Sequence, residues 1–329
     1  MIKIGVASLA HMHAIGYMDA LLEIDGVELA GIWDEDAVKG KEIADRYQTT
    51  YYPELEQLTG SEIDAVIVCS ENVRHLECVM AAAKAGKHVL CEKPLATRVE
   101  DALAMIAVCR ENNVLLQTAF PVRFQTSIKR GKELLDSGAY GKILAMKGTN
   151  RGRIPGGWFL DREFSGGGAV MDHTVHVVDV MRWYMGAEVT NVYAEAASRF
   201  SEGKIDDCGI LTMEFNNGVF ASLDCSWSRN KKFPTWGDVT LDVICEFGVL
   251  SINAFNQKMS VYSNENGVSW DYWGDNMDLE LIRDFVQSVR EGAKTASVTG
   301  EDGLRALEVA LAAYRSAEDH SPAGIILAH

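Results

Sequence analysis

The stretch Ala85-Gly86-Lys87-His88-Val89-Leu90-Cys91-Glu92-Lys93-Pro94 reads as the end of a helix, a short buried strand and a turn. Gly86 stands where a helix C′ glycine belongs. Residues 88–91 are compact and apolar, as in a strand covered on both faces. Pro94 fixes the turn and biases Lys93 toward an extended backbone. The same grammar repeats through the first 120 residues. Strands are expected at 2–7, 27–33, 65–69, 88–91 and 114–119. Amphipathic helices are expected at 13–23, 37–46, 73–85 and 97–111, the last opened by a capping box from Thr97 to Glu100. Repeated βα units imply a doubly wound parallel sheet with right-handed crossovers and helices on both faces.

After about residue 122 the pattern changes. A helix over 126–136 closes at Ser137-Gly138, and long β-rich runs follow at 142–150, 189–198, 210–215, 220–227, 239–247, 249–252 and 259–262. Asn216-Asn217-Gly218 is a hairpin turn signal between two of them. The run Gly166-Gly167-Gly168-Ala169-Val170-Met171-Asp172-His173-Thr174-Val175-His176 is a glycine loop entering a helix expected over 169–185. Two more helices are expected at 279–291 and 303–318. Residues 122–329 therefore read as a second domain, an open, mostly antiparallel sheet with helices on one face. Residues 1–121 read as a dinucleotide-binding domain.

The 329 residues carry a formal net charge of -16. That balance argues against nucleic-acid or anionic-membrane partners, which need clustered Lys and Arg. The start, Met1-Ile2-Lys3-Ile4-Gly5, reads as a strand, so no signal peptide is expected, and no apolar run approaches the roughly 20 residues that span a bilayer. Seven cysteines, odd in number and without a Cys-x-x-Cys pair, fit reduced thiols in a cytoplasm.

In a doubly wound sheet the ligand lies beyond the C-terminal strand ends. The first such turn is Ser8-Leu9-Ala10-His11-Met12-His13, and Ser8, Ala10 and His13 occupy the three places of a Gly-x-Gly-x-x-Gly fingerprint. The motif alone does not indicate a dinucleotide site. Ser8 and Ala10 are small enough for a pyrophosphate to approach the backbone; His13 is not. His11 and His13, placed beside the cofactor, contact phosphate or substrate or cap the first helix. Asp34, ending the second strand, is placed to accept hydrogen bonds from ribose hydroxyls and to repel a 2′-phosphate, favouring NAD over NADP. Ser70, Asn72 and His75 are expected on the nicotinamide side, with Glu92 and Lys93. Lys93, at a strand end, is a candidate catalytic group. Asp172 and His176, four apart, share a helix face and suit acid–base work on a hydroxyl, with His173 beside them.

These residues resemble the Gfo/Idh/MocA oxidoreductases, the glucose-fructose oxidoreductase and inositol dehydrogenase relatives. The resemblance covers nearly the whole chain. It rests on the Rossmann-like first half, Gly86-Lys87-His88-Val89 with Glu92-Lys93-Pro94, Arg123-Phe124, Gly166-Gly167-Gly168, and Asp172 with His176. It implies NAD(P), a polyol or sugar-like substrate, and dimers or tetramers packed through the open face of the C-terminal sheet. It also implies that Lys93, Asp172 and His176 surround the substrate. In the implied reaction His176 takes the hydroxyl proton as hydride passes to the nicotinamide, while Asp172 and Lys93 bond the reacting oxygen; whether Lys93 or His176 is the base stays open. Arg123, Arg151, Trp158 and His173 are further substrate contacts. Three rivals remain. His11-x-His13 also resembles the start of an amidohydrolase metal site, but that fold needs eight βα units, so no metal is expected. A non-catalytic sensor would explain the missing glycines. A retained NAD serving net elimination or glycoside cleavage would use the same residues.

Overall fold

Short apolar strands that must be covered on both faces build the first half of this chain, described by a computed structural model of residues 1–329 except 203–204, 265–266, 273–275, 326 and 328–329. The order is β1 (Ile2–Ala7), α1 (His13–Leu22), β2 (Val27–Trp33), α2 (Ala37–Tyr47), α3 (Leu55–Thr59), β3 (Ala65–Val68), α4 (His75–Lys84), β4 (His88–Cys91), α5 (Val99–Glu111) and β5 (Leu116–Thr118). The strands form one parallel sheet in the order β2-β1-β3-β4-β5. The order reverses between β1 and β3, where ligands of such sheets bind. Beyond β2, Tyr51 makes a single parallel bridge to Ile32, the remnant of a sixth strand. All four residues of β3 are buried, as the absence of alternation in its sequence requires. Gly86 adopts φ 74° after α4, as its position as a C′ residue demands.

The capping box at the start of α5 does not form. The helix begins at Val99, its N-cap is Arg98, and no side chain caps it. Thr97 lies one residue too early for its hydroxyl to serve the first turn.

The second half begins with α6 (Thr126–Asp136), β6 (Ile143–Gly152), α7 (Arg162–Ser165) and α8 (Ala169–Met185). It continues through β7 (Val189–Ala197), β8 (Cys208–Phe215), β9 (Phe220–Asp224), β10 (Gly237–Cys245), β11 (Gly248–Asn253), β12 (Lys258–Ser263) and β13 (Gly267–Tyr272). After these come α9 (Met277–Arg290), α10 (Gly300–Asp319) and the two-residue β14 (Ala323–Gly324). Seven strands form a sheet in the order β11-β10-β6-β9-β8-β7-β14, in which only the β6–β9 pairing is parallel. Strands β12 and β13 form a separate hairpin. Gly218 turns β8 into β9 at φ 86°. The strand expected over 220–227 is regular only to Asp224, but Cys225 and Trp227 N–H carry the same register on, donating to Gly209 O and Asp207 O. Along β8 buried and exposed residues alternate, and α8 covers the buried face.

Two compact units result, residues 1–121 with 277–304, and residues 122–276 with 305–329. Helix α9, which follows the second sheet in sequence, packs its apolar face (Leu281, Ile282, Phe285) in the first unit against α1.

Candidate active site

In the first unit, the strand ends carry a set of polar residues buried by one another. Ser8, directly after β1, takes φ 69°, the left-handed conformation a fingerprint glycine usually supplies. Its hydroxyl donates to Glu35 Oε2 at 2.7 Å, and Glu35 also pairs with Arg74 at 2.6 Å. Asp34 ends β2 and is buried; its Oδ2 accepts Leu9 N–H at 2.5 Å and its Oδ1 accepts Asp36 N–H at 2.9 Å. Burial pushes the Asp34 carboxyl above its ordinary value, against the pull of those two N–H groups. Lys39 Nζ donates to Leu9 O, and Ala10 N–H to Ser8 Oγ. The turn is thus tied to β2 by Asp34 and to β3 by His11 N–H, which donates to Cys69 O.

Lys93 follows β4 and is 4% exposed, with the Lys93–Pro94 peptide cis. Its backbone N–H donates to Glu92 Oε2 at 3.0 Å. His75, expected beside the nicotinamide, is fully buried under the same turn. Its Nδ1 lies 3.0 Å from Pro94 O and its Nε2 3.2 Å from Ser70 O. Burial lowers its basicity. The ring there positions the backbone behind Lys93 through the Pro94 and Leu95 carbonyls. Ser70 and Asn72 are buried beside it.

In the second unit, α8 presents Asp172, His173 and His176 from its first two turns, all largely buried at the side chain. Asp172 Oδ2 accepts from Trp227 Nε1 at 3.2 Å and lies 3.3 Å from His173 Nε2. His173 Nδ1 faces Cys225 O at 3.1 Å, so both of its ring nitrogens meet acceptors. Asn150 donates to His173 O, and a side chain at Gly152 would press on the His173 ring. Arg151 and Arg229 converge on Asp238. Arg123 is committed to a buried pair with Asp179 of α8, lying over Trp183. Trp158 stacks on Phe159 with ring centroids 3.9 Å apart.

The glycine loop before α8 has a packing cause. Gly166 takes φ 76°. A Cβ on Gly167 would overlap the Tyr314 hydroxyl, and one on Gly168 the Asp206 carbonyl oxygen. That close approach lets Asp206 cap the helix from outside, its carboxylate accepting Gly168 and Val170 N–H while its carbonyl accepts Ala169 N–H. Tyr314 OH accepts Met171 N–H and donates to Asp206.

Residues 3–120 match the oxidoreductase family with an NAD-binding Rossmann fold, and residues 128–251 match the GFO/IDH/MocA C-terminal domain. The chain is 30% identical to myo-inositol 2-dehydrogenase of Thermotoga maritima, over 96% of each chain. The chain belongs to the Gfo/Idh/MocA oxidoreductase family. It is 29% identical to 1,5-anhydro-D-fructose reductase of Ensifer adhaerens, over 95% of each. Its fold superposes on the crystal structure of a probable dehydrogenase from Thermotoga maritima with a TM-score of 0.86 and 28% identity, covering 98% of each chain.

This Gfo/Idh/MocA chain departs from the glycine fingerprint, yet the first unit fits a nicotinamide dinucleotide. Ser8 supplies the left-handed turn. Each Asp34 oxygen accepts one N–H, which leaves lone pairs for ribose hydroxyls. The His13 ring is turned toward β4, 2.9 Å from Glu92, so the one bulky replacement is held within the protein. Sequence reasoning missed Glu35, Asp206, Trp227, Asp238 and Tyr314. Each acts through a partner far along the chain, and only the Asp206-Asp207 pair left a local trace, as acidic residues before β8.

Proposed function

We propose that this enzyme oxidises a secondary hydroxyl of a sugar, polyol or related cyclic substrate, with NAD preferred over NADP. The observation that carries the reading is its likeness, across 95% or more of its length, to an inositol dehydrogenase and an anhydrosugar reductase. NAD, when bound, accepts the hydride. Lys93 stabilises negative charge developing on the substrate oxygen, Asp172 hydrogen-bonds that hydroxyl, and His176 takes its proton. Arg151, Trp158 and His173 orient the substrate. Arg123 acts through Asp179, by fixing α8. Ser8, Leu9, Ala10, Asp34, Ser70 and Asn72 contact the cofactor. Asp34 and Glu35 together put two carboxylates at the end of β2, a poor place for a 2′-phosphate. Calorimetry on stripped protein is expected to show NAD binding more tightly than NADP, and an inositol and sugar panel to reduce NAD. Asp34→Ala should narrow the NAD preference by about 10-fold or more, as loss of a charge-assisted hydrogen bond predicts. Equal binding of both dinucleotides by the unaltered protein would remove Asp34 from the discrimination.

The reading extends to assembly and location. Tyr193, Ile210, Phe220, Ile244 and Val249 are exposed on one face of the second sheet, opposite α8. A second copy of the chain, offering the same face, would bury them in an isologous dimer or in a tetramer. Light scattering should give twice or four times the 36.2 kDa chain mass, and Phe220→Glu should shift it toward monomer. A monomeric parent at working concentration would sink this assignment. The seven cysteines are free thiols, which supports a cytoplasmic location. Among the described residues no helix is long and apolar enough to cross a membrane.

A further inference from the structure

The histidines that replace fingerprint residues acquire a third partner on folding. Strands β1 and β4 flank β3 in the parallel sheet, so the turns leaving them meet over its end. There His11 and His13 approach Glu92. The donor atoms of the three lie within 4.8 Å of one another. His13 Nδ1 is 2.9 Å, and His11 Nδ1 3.8 Å, from Glu92 Oε1. The imidazole rings meet edge to face, with centroids 4.4 Å apart. Glu92 is fully buried, His11 is 2% exposed, and only the His13 side chain, at 26%, reaches solvent.

We propose that His11, His13 and Glu92 form a divalent transition-metal site, Zn²⁺ by its donor set, which clamps the β1–α1 turn to the Glu92-Lys93-Pro94 turn. Zinc bonds of about 2.0–2.1 Å place tetrahedral ligands about 3.3 Å apart, within the range these donors already span. Two imidazole nitrogens and one carboxylate favour Zn²⁺ over Mg²⁺ or Ca²⁺, which take oxygen. Three protein ligands leave a coordination position, and it opens on the His13 side, where the burial is incomplete. The surroundings favour a cation. Glu92 is a fully buried carboxylate facing both imidazoles. A second carboxyl, Asp278 of α9, sits against Gly16 of α1, one turn beyond His13. A divalent ion would meet the Glu92 carboxylate; Lys93 is the opposing cation nearby.

The alternative occupant is a proton, leaving a charged His13–Glu92 pair. Metal content separates the two. The protein as purified, and after chelation and gel filtration, is titrated with Zn²⁺ and with Co²⁺, whose visible bands report coordination. The expected result is one ion per chain, with four-coordinate nitrogen–oxygen bands and no thiolate charge transfer. His13→Ala and the near-isosteric Glu92→Gln should each weaken binding by at least about 100-fold. Zinc should also raise the melting temperature of the unaltered protein and not of the variants. Absence of stoichiometric binding by a folded sample overturns the site, as does binding that both variants retain or that shows thiolate bands. NAD binding, measured on the same samples, reports separately on the oxidoreductase reading, because the ion is held by this turn whether or not a dinucleotide is present.

Discussion

Lys93→Ala is expected to lower turnover at least about 100-fold, equivalent to about 2.7 kcal/mol of lost transition-state stabilisation. The expectation rests on how thoroughly the protein fixes this residue. Its backbone N–H is held by Glu92, Pro94 follows it, and the carbonyls of Pro94 and Leu95 are held by the buried His75 ring. Such preorganisation around a lysine 4% exposed is what electrostatic catalysis requires, since the charge needs no reorganisation as the oxygen becomes negative. Lys93→Arg keeps the charge but changes its reach and geometry, so it should restore only a small part of the rate. The diagnostic pattern is a fall in kcat with NAD affinity nearly unchanged. If NAD affinity falls in proportion instead, Lys93 serves the cofactor and the hydroxyl chemistry passes to His176. Near-normal turnover would remove Lys93 from the reaction.

The parallel sheet was legible because strands such as Ala65–Val68 carry no polar alternation. Local chemistry determines such elements. Asp34 was legible for the same reason: its place at the end of β2 follows from the strand pattern alone. The helix over Ala169–Met185 was legible from its glycine start and its later apolar spacing. What escaped depends on pairs that only folding creates. Glu92 reads as a neighbour of Lys93, yet its closest side-chain partner is His13, 79 positions earlier. The capping box at Thr97 failed because chain entry into α5 was set by the packed turn after β4, not by local propensity. The grouping of 277–304 with the first unit could not be read from order along the chain, since α9 follows seven β-rich segments. Glycines 166–168 read from sequence only as a glycine loop entering the helix. Their neighbours show that they admit Asp206 and Tyr314.

Gly168→Ala should therefore damage the protein more than an alanine at most glycines. The added methyl group would overlap the Asp206 carbonyl oxygen and lie 2.9 Å from its carboxylate. Relief requires moving the backbone of residue 206, which breaks the hydrogen bonds from Gly168, Ala169 and Val170 N–H together. Overpacking of this kind costs about 1–3 kcal/mol, and orphaned helix N–H groups add to it. The second unit's melting transition should fall by roughly 5–10 °C. Turnover should fall further than stability alone predicts, because Asp172 lies in the turn that loses its cap. Gly167→Ala supplies the control. Its methyl group meets the Tyr314 hydroxyl, a group that substitution can remove. Tyr314→Phe alone costs the hydrogen bonds to Gly168, Met171 and Asp206. Combined with Gly167→Ala it should cost less than the sum of the two single changes, since each removes part of the other's penalty. Strict additivity in that cycle would mean that Tyr314 does not set the requirement for glycine at 167, and that the loop's composition answers to a ligand rather than to the helix cap.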